Sequence, residues 1–561
     1  MRARSILRRL ESPASVFSRP QIGPCGIRPQ FPLPRPISTR PQPSESSSFW
    51  ITITLLAIGG GACLHQSLSP SADPLPSSRP PQQEPFLGII DTLRTMPIEP
   101  APGTVGTLTP EQEAKLQEFW VLTLKVFGVN IETLEAEAKS SASNAAAAPP
   151  ADKKKSAKRG WGLFRSTGDE KSETSSTSQA SEITSGLASI SITDGDDKYG
   201  QSKEFQQALE DMSPEEIRTA FWNMVKHDNP DALLLRFLRA RKWDVKKALI
   251  MLISTMRWRL QDVHVDDDIM ANGEALALKQ SKSSDPTEKK KGDEFLHQLR
   301  MGKSFLHGVD RLGRPICVVR VRLHRASEQD PESLERFTVY TIETARLLLA
   351  PPVETATIIF DMTDFSLQNM DYTPVKFMIK CFEANYPESL GTVLIHKAPW
   401  VFSSIWSIIK GWLDPVVAAK IHFTKNREDL EAFIPPDRIT KELDGDENWE
   451  YKYLEIEEGE NSKMEDTETR DKLLAERQAL AKEIQDITIE WIRASFKKEP
   501  EAISAAKEKR QTLVEQLRKQ YWVLDPYIRA RSLYDRLNIV QGEGKIEFYP
   551  GADKADKADK A

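Results

Sequence analysis

The sequence predicts an α/β protein, in which an all-helical N-terminal lobe precedes a mostly parallel sheet with helices and a C-terminal helical hairpin follows. Two observations predict this architecture. Three short apolar runs at 316–321, 357–362 and 391–395 have the composition of buried strands, and helical patterns lie between them. Residues 201–265 and 465–540 carry helical patterns alone. Strands that alternate with helices form βαβ units, which build a parallel sheet.

The N-terminal leader, residues 1–48, is rich in Arg, Ser and Pro and contains only Glu11 and Glu45 as acidic residues. This composition is typical of a mitochondrial transit segment. The segment 49–65 predicts a single membrane anchor, although its apolar run at 49–64 has sixteen residues, just under the roughly 17–25 that a spanning helix needs. There are two alternatives: a disordered leader with an apolar patch, and an upstream extension that is absent if translation starts at Met96.

Residues 66–107 are a Pro- and Ser-rich linker, and residues 108–138 contain an amphipathic helix. Thr109 and Pro110 are a typical N-cap and first helical residue, and we expect this helix to dock on the main domain. Residues 139–200 are predicted to be a disordered linker. Its basic run, KKKSAKRGWGLFR, has two interpretations: contact with anionic lipid, or a solvated linker.

The helical lobe spans 201–265, where Asp244 precedes a helix whose apolar residues lie three or four positions apart. Residues 273–292 are polar and Lys-rich, so we expect a loop there. Residues 465–540 contain two amphipathic helices that we expect to pack as a hairpin on the domain or on a partner. The tail, residues 541–561, ends in a low-complexity ADK repeat and is predicted to be disordered.

The predicted sheet region runs from 293 to 446. A turn before Pro315 leads into its first strand, and a helix at 331–349 precedes the second strand. A helix that begins at Thr373-Pro374 separates the second strand from the third. Each helix is long enough to cross from one parallel strand to the next.

Composition excludes several classes of protein. A chain of 561 residues is too long for one core, and 37 Pro with a mean hydropathy of -0.46 indicate long linkers. The formal net charge of -6 gives no overall attraction to nucleic acid, so we expect no nucleic-acid partner. No CxxC motif or Cys/His cluster occurs, which favours buried reduced thiols over disulfides or zinc at Cys25, Cys63, Cys317 and Cys381.

The segment 386–423 organises the predicted domain. Glu388 follows a Tyr-Pro chain reversal, and the third strand comes next. Residues 400–413 are so rich in Trp, Phe and Ile that a helix here is apolar around most of its circumference. Such a helix must be buried, close over something apolar or meet a membrane, and a lid on a lipid pocket satisfies all three conditions. Asp414-Pro415 then begins a helix that we expect to carry Lys420.

Motifs for catalysis are weak. Gly302-Lys303-Ser304 matches the end of a phosphate-binding loop, but His297 occupies the position of the required upstream glycine. The sequence contains neither GxSxG nor HExxH. We therefore expect no enzyme, cofactor or metal, and an enzyme that uses Glu388 as an acid or base is the weakest alternative.

Four separated motifs carry a family resemblance: LLLRFLRARKWDV, DRLGRPI, NYPESLG and WLDPVVAAKIHF. In this order they resemble the CRAL-TRIO lipid-transfer family of the yeast phosphatidylinositol-transfer type, over roughly residues 201–446. The resemblance implies a helical N-terminal domain at 201–265 and a lipid-binding domain at 293–446. It also implies that the ligand is a bound lipid.

The resemblance further implies that Arg241, Lys242, Glu388 and Lys420 bind the phosphatidylinositol headgroup. Cations in such a site would make charge-assisted contacts to phosphate, which are strong. From the residues alone, Glu388 and Lys420 are equally explained as a structural salt bridge, because single buried charges are costly. The corresponding alternative for Arg241 and Lys242 is a solvated helix end.

Four positions depart from the family's phosphatidylcholine site, where the resemblance implies hydroxyl side chains: Leu306, Cys317, Ala356 and Ile358. Phosphatidylcholine binding is therefore not expected, and the more apolar wall would equally accept a headless lipid such as a sterol or squalene. The helix at 108–138 and the long helical C terminus resemble a fungal subgroup associated with such ligands.

We expect lipid exchange through a pocket between the sheet and the helix at 400–413, which would open at Pro399 and Gly411 as a gate. The expected partners are phosphatidylinositol or another hydrophobic lipid and a membrane surface, for a monomeric, cytoplasmic, peripheral membrane protein. The alternative is a lipid-sensing scaffold that presents phosphoinositide to a lipid kinase or recruits partners through 465–540. The expected gate residues are Phe402, Trp406, Ile409, Trp412 and Leu413.

Overall fold

The computed structural model describes residues 100–131 and 197–549. The predicted leader at 1–48, the anchor at 49–65 and the basic run at 153–165 lie outside the described residues. Within the described ranges, no helix combines the length and the apolar character that crossing a bilayer requires. Cys317 and Cys381 are buried free thiols, as expected, whereas Cys25 and Cys63 are not described.

The N-terminal helices form one layer whose starts are set by capping residues. Thr109 caps the first helix: its hydroxyl accepts from the Gln112 N–H, and the Gln112 side chain accepts from the Thr109 N–H. Asp244 caps the fifth helix through the Lys247 N–H. These helices are α1 (Pro110–Val126), α2 (Gln201–Asp211), α3 (Pro214–Val225), α4 (Pro230–Ala240) and α5 (Val245–Arg257).

The expected loop at 273–292 is wrong, because helices α6 (Ala271–Ser281) and α7 (Pro286–Arg300) occupy this segment. Asp285 caps α7, and Pro286 takes its first position, where the missing N–H costs nothing. The lysines that made the segment appear loop-like form the exposed face of α7. Lys290 and Lys291 form ion pairs with carboxylates near the next helix along the chain.

A five-stranded sheet in the order β1-β2-β3-β4-β5 forms the second layer. β1 is antiparallel to β2, and the remaining neighbours are parallel. The predicted mostly parallel sheet is thus confirmed, with two additional strands at its edges. The strands are β1 (Ser304–Val309), β2 (Pro315–Arg320), β3 (Ala356–Asp361), β4 (Leu390–His396) and β5 (Ile421–Thr424).

Helices between and after the strands cover both faces of the sheet. The connecting helices are α8 (Pro331–Leu347), α9 (Tyr372–Lys380), α10 (Phe402–Lys410), α11 (Pro415–Ala418) and α12 (Arg427–Glu431). One face packs against Leu430 of α12 and the segment that follows it, through Phe305, Ile316, Val318, Ile359 and Leu394. The side chains that alternate with these face α8, α9 and α10.

The C-terminal hairpin consists of α13 (Thr467–Lys497) and α14 (Pro500–Ile528) and packs on the helical lobe. Trp491 of α13 and Leu517 of α14 are buried in the same apolar core as Trp120 and Phe221. The inner stripe of the hairpin is therefore occupied by its own chain. Partner recruitment by the hairpin, a lipid kinase partner and the monomeric state stay predictions.

The chain after the hairpin returns to the sheet and covers its β1 edge. Helix α15 (Leu533–Arg536) brings Tyr534 to Leu306, whose N–H donates to the Tyr534 hydroxyl at 2.8 Å. Leu533, Tyr534, Ile539 and Phe548 pack with apolar residues of the sheet. This contact closes one side of the space between the sheet and the helices.

Candidate functional site

A cavity of about 250 Å³ lies between the sheet and helices α8, α9 and α10. Its floor contains one row of side chains, because parallel strands in register place paired residues on the same face. Cys317 pairs with Ile358, Ile358 with Val393, and Val393 with Ile421, and all four line the cavity. Burial raises the pKa of the Cys317 thiol to about 11, so this floor is uncharged near neutral pH.

Helix α10 forms the opposite wall. Phe402, Trp406 and Ile409 of this helix line the cavity, and Leu413 follows just after it. Their spacing of three or four positions places them on one helix face. Trp406 also packs edge-on against Phe423 of β5, with ring centroids 5.2 Å apart.

The outer face of α10 is exposed, unlike the face that lines the cavity. Ile408 is 48% exposed, and Trp400, just before the helix, is 88% exposed. The serines of α10 that alternate with the cavity-lining residues are exposed too. The helix therefore has one apolar face toward the cavity and a mixed outer face, on which Ile408 lies among serines.

Three predicted pocket residues lie outside the cavity wall. Tyr534 covers Leu306, and Ala356 is the first residue of β3. Trp412 packs edge-on against Tyr372 at 5.4 Å, and its backbone carbonyl accepts from Lys198. Trp412 thus fixes the end of α10 from outside the cavity.

Glu388 and Lys420 form an ion pair, with 3.3 Å between Oε2 and Nζ. The expected helix does not carry Lys420: α11 ends at Ala418, and Lys420 immediately precedes β5. Because Glu388 precedes β4 in the same way, both residues lie at the amino edge of the parallel strands. Cavity residues Leu390 and Val417 are close to them in sequence.

The other two predicted headgroup residues follow α4. Arg241 donates to the side-chain oxygen of Gln201, whose amide donates to the Ala384 carbonyl at 3.2 Å. Lys242 is exposed. The structure therefore links Arg241 to the segment before Glu388. Among the described residues, the ion-pair partner of Glu388 is Lys420, and neither Arg241 nor Lys242 forms an ion pair with it.

Arg236 lies in the same LLLRFLRARKWDV motif, was not predicted as a site residue, and connects α4 directly to Glu388. Arg236 of α4 is buried, and its Nη1 donates to the Glu388 carbonyl at 3.3 Å and to the Glu354 carbonyl. Burial lowers the pKa of this guanidinium, with Asp228 the largest opposing influence. The arginines of LLLRFLRARK indicate a basic site near this helix, but only the fold shows that Arg236 is the one that reaches the sheet.

Two of the predicted headgroup residues adopt a left-handed backbone, Glu388 with φ of 53° and Lys242 with φ of 51°. This conformation is uncommon for residues other than glycine, and it concentrates at ligand sites and switch regions. The neighbouring structure thus holds the Glu388 side chain in place at the start of β4.

The Gly302-Lys303-Ser304 segment is not built as a phosphate-binding loop. Helix α7 precedes it, and Ser304 begins β1. Gly302 has φ of 64°, and a Cβ there would meet the Tyr451 ring at 2.4 Å. Packing therefore explains the glycine, whereas Lys303 and Ser304 line the cavity. The described residues contain no group of three His, Cys, Asp or Glu side chains that could hold a metal.

Comparison with known proteins connects this site to a family. Residues 299–445 match the model of the CRAL/TRIO domain, and residues 201–254 match that of the CRAL/TRIO N-terminal domain. The first match contains the sheet, the cavity and the Glu388–Lys420 pair, and the second contains α2 to α4 and most of α5.

Relatives extend this similarity over most of the chain. CRAL-TRIO domain-containing protein C3H8.02 of Schizosaccharomyces pombe is 41% identical over 78% of this chain and 92% of its own length. Phosphatidylinositol transfer protein CSR1 of Eremothecium gossypii is 40% identical over 78% of this chain and 97% of its own. The Sec14 cytosolic factor of S. pombe is 29% identical over 38% and 74%, respectively. The chain belongs to the CRAL-TRIO family, whose members include lipid-transfer proteins.

Proposed function

We propose that this chain exchanges phosphatidylinositol, or another hydrophobic lipid, between membranes, and that α10 is the gate of its cavity. The observation that carries this proposal is the apolar cavity closed by one face of α10. Fully burying a large apolar side chain contributes roughly 1.5–3 kcal/mol, so several such contacts compete with the bilayer for an acyl chain. The similarity to a protein named as a phosphatidylinositol transfer protein supports the choice of lipid.

The gate is proposed to open toward the membrane. In this proposal α10 moves aside to admit the phospholipid, because its apolar face forms the outer wall of the cavity. The exposed apolar side chains near α10 favour the membrane interface, which would stabilise the open position. They are Trp400, Ile408, Val416 and Phe423. This makes peripheral membrane association part of the proposal.

Transfer without any cofactor is the direct test. The full chain should move labelled phosphatidylinositol from donor to acceptor vesicles, and organic extracts of the purified chain should contain lipid by mass spectrometry. If extracts contain no lipid and transfer does not exceed the protein-free rate, the proposed function is wrong.

Inositol-lipid binding should depend on the cations of the headgroup site. We expect Lys420→Ala combined with Lys242→Ala to weaken phosphatidylinositol binding by at least about tenfold, because hydrogen bonds to charged groups contribute about 1.5–3 kcal/mol each. The loss should appear in a lipid pull-down from vesicles that contain phosphatidylinositol.

Lys425→Ala combined with Lys452→Ala is the matched control, since both of these lysines are exposed, lie outside α10 and give the same charge change. We expect the control to retain binding. Retained binding in the Lys242 and Lys420 variant would instead favour the structural salt bridge between Lys420 and Glu388.

A further inference from the structure

A second polar group lies in the cavity wall, at the edge of the sheet opposite Glu388 and Lys420. The Lys303 carbonyl accepts from the N–H of Arg320, the last residue of β2, at 2.9 Å. Glu388 and Lys420 precede the parallel strands, whereas Lys303 lies level with their carboxyl ends. At about 3.3 Å per residue, the strands separate these two edges by roughly 15–20 Å.

Lys303 is a buried cation without a carboxylate partner. The residue is only 4% exposed, and its Nζ donates to the Gln329 side-chain oxygen at 2.6 Å. No carboxylate in the described part of the chain lies within ion-pair distance of this nitrogen. An ammonium has three N–H donors, so two remain for a ligand. A buried charge without an anion is costly, and a ligand anion would offset that cost.

The pKa of Lys303 is consistent with this arrangement. Burial lowers it to about 8, and the nearby Glu328 carboxylate opposes the shift only in part. The side chain therefore stays mostly protonated at neutral pH, even though no carboxylate pairs with it directly.

The other polar side chains at this edge of the cavity already have partners. The Thr338 hydroxyl donates to the Leu334 carbonyl at 2.8 Å, and the Thr341 hydroxyl donates to the Phe337 carbonyl at 2.9 Å. The Asn369 amide donates to two backbone carbonyls. Most of the remaining wall is apolar. Arg320 and Asp371 also line the cavity, but Arg320 pairs with Glu442 and Asp371 lies 3.4 Å from His324. Among the described cavity residues, Lys303 is thus the cation that no carboxylate pairs, beside a mostly apolar wall.

We propose that Lys303 binds the carboxylate of a long-chain fatty acid whose hydrocarbon chain lies in the cavity. This inference rests on the proposed function, because it requires the cavity to hold a lipid. A carboxylate carries one negative charge and little bulk, which matches one ammonium in a closed edge. Charge-assisted hydrogen bonds are about twice as strong as neutral ones, so the acid should bind more tightly than its neutral ester.

The test is a competition between two ligands that differ only in charge. The full chain is incubated with equal amounts of isotope-labelled hexadecanoic acid and its methyl ester, re-isolated, and analysed by mass spectrometry. We expect the acid to be bound in roughly tenfold or greater excess, as one hydrogen-bonded charge implies. Lys303→Met should bring the ratio close to one while ester binding persists, and Lys303→Arg should retain the preference. Lys425→Met, at an exposed position, is the control and should behave as wild type.

Each other outcome overturns the inference in a distinguishable way. Equal binding of acid and ester by the wild type, or an undiminished preference in Lys303→Met, overturns the fatty-acid site and leaves the proposed transfer function standing. Binding of neither ligand by the wild type overturns the fatty-acid site, and the proposed function falls with it only if vesicle transfer of phosphatidylinositol is absent as well. If Lys303→Met fails to fold and so binds neither ligand, loss of the preference in Lys303→Gln with ester binding intact supports the site, and its persistence overturns it.

Discussion

Replacing Phe402 and Trp406 by Asp is expected to abolish phosphatidylinositol transfer between vesicles. Both side chains line the cavity, and Phe402 is also buried against the sheet-side cluster of Met362 and Ile395. Two carboxylates in this wall would have to be desolvated whenever the gate closes over an acyl chain, and an isolated buried charge is far more costly than the apolar contact it replaces. We expect the transfer rate to fall to the protein-free rate, measured with a fluorescent phosphatidylinositol analogue.

The matched control carries the same charge on the same helix. Ser404 and Ser407 are exposed on the outer face of α10, so Ser404→Asp with Ser407→Asp should retain clearly more transfer than the Phe402 and Trp406 variant, although charges on this face also oppose its contact with the membrane. Circular dichroism should show that both double variants keep their helical content. If the control loses as much transfer as the Phe402 and Trp406 variant, negative charge near the membrane explains the effect and the cavity wall does not.

Arg510→Met is expected to lower the free energy of unfolding by about 3 kcal/mol, the lower end of the range for breaking a buried ion pair. Arg510 of α14 donates to both carboxylate oxygens of Asp231 in α4, at 2.8 and 2.7 Å. The Trp120 indole N–H donates to the same carboxylate at 2.7 Å. Met has a similar length, so the substitution removes the charge and leaves Asp231 with one fewer buried partner. Urea denaturation followed by tryptophan fluorescence measures the change.

Lys507 provides the comparison, one turn away on the same helix. Its ion pair with Glu113 spans 2.6 Å, but the Lys507 side chain is exposed. Solvent screens such a pair, so Lys507→Met should change the unfolding free energy by no more than about 1 kcal/mol. Equal effects of the two substitutions would contradict the expectation that burial makes the Arg510 pair the larger contributor to stability. The expected result would also mean that deletion of 465–540 removes part of the core, so a partner-binding role of the hairpin is better tested by outer-face substitutions.

The central strands were predictable because buried parallel strands are continuous apolar runs, and β2, β3 and β4 have this composition. The edge strands were not. SFLHGV in β1 and IHFT in β5 are short and partly polar, and they are strands because a neighbour supplies their hydrogen bonds. At α6 and α7 we expected a loop because the segment is polar. The structure has helices there, since the segment contains good helix formers and a capped helix start at Asp285.

In the candidate site, too, local features were predictable and features that depend on neighbouring elements were not. The sequence placed an apolar helix beside a strand and identified Glu388 and Lys420 as ionic residues in apolar surroundings, because composition and spacing are local properties. It did not place Lys420 before β5 rather than on a helix, since the length of α11 depends on what packs beside it.

By itself, the sequence determined the alternation of helices with the three central strands, the apolar segment 400–413 and the absence of common catalytic motifs. The folded chain determined which side chains line the cavity. Tyr534 covers Leu306 across 228 positions of sequence, and Arg510 reaches Asp231 across 279. Lys303 is a buried cation only because β1, the loop with Gln329 and α8 meet around it. The physical reason is that burial and charge pairing depend on every element surrounding a side chain, and no local pattern contains those elements.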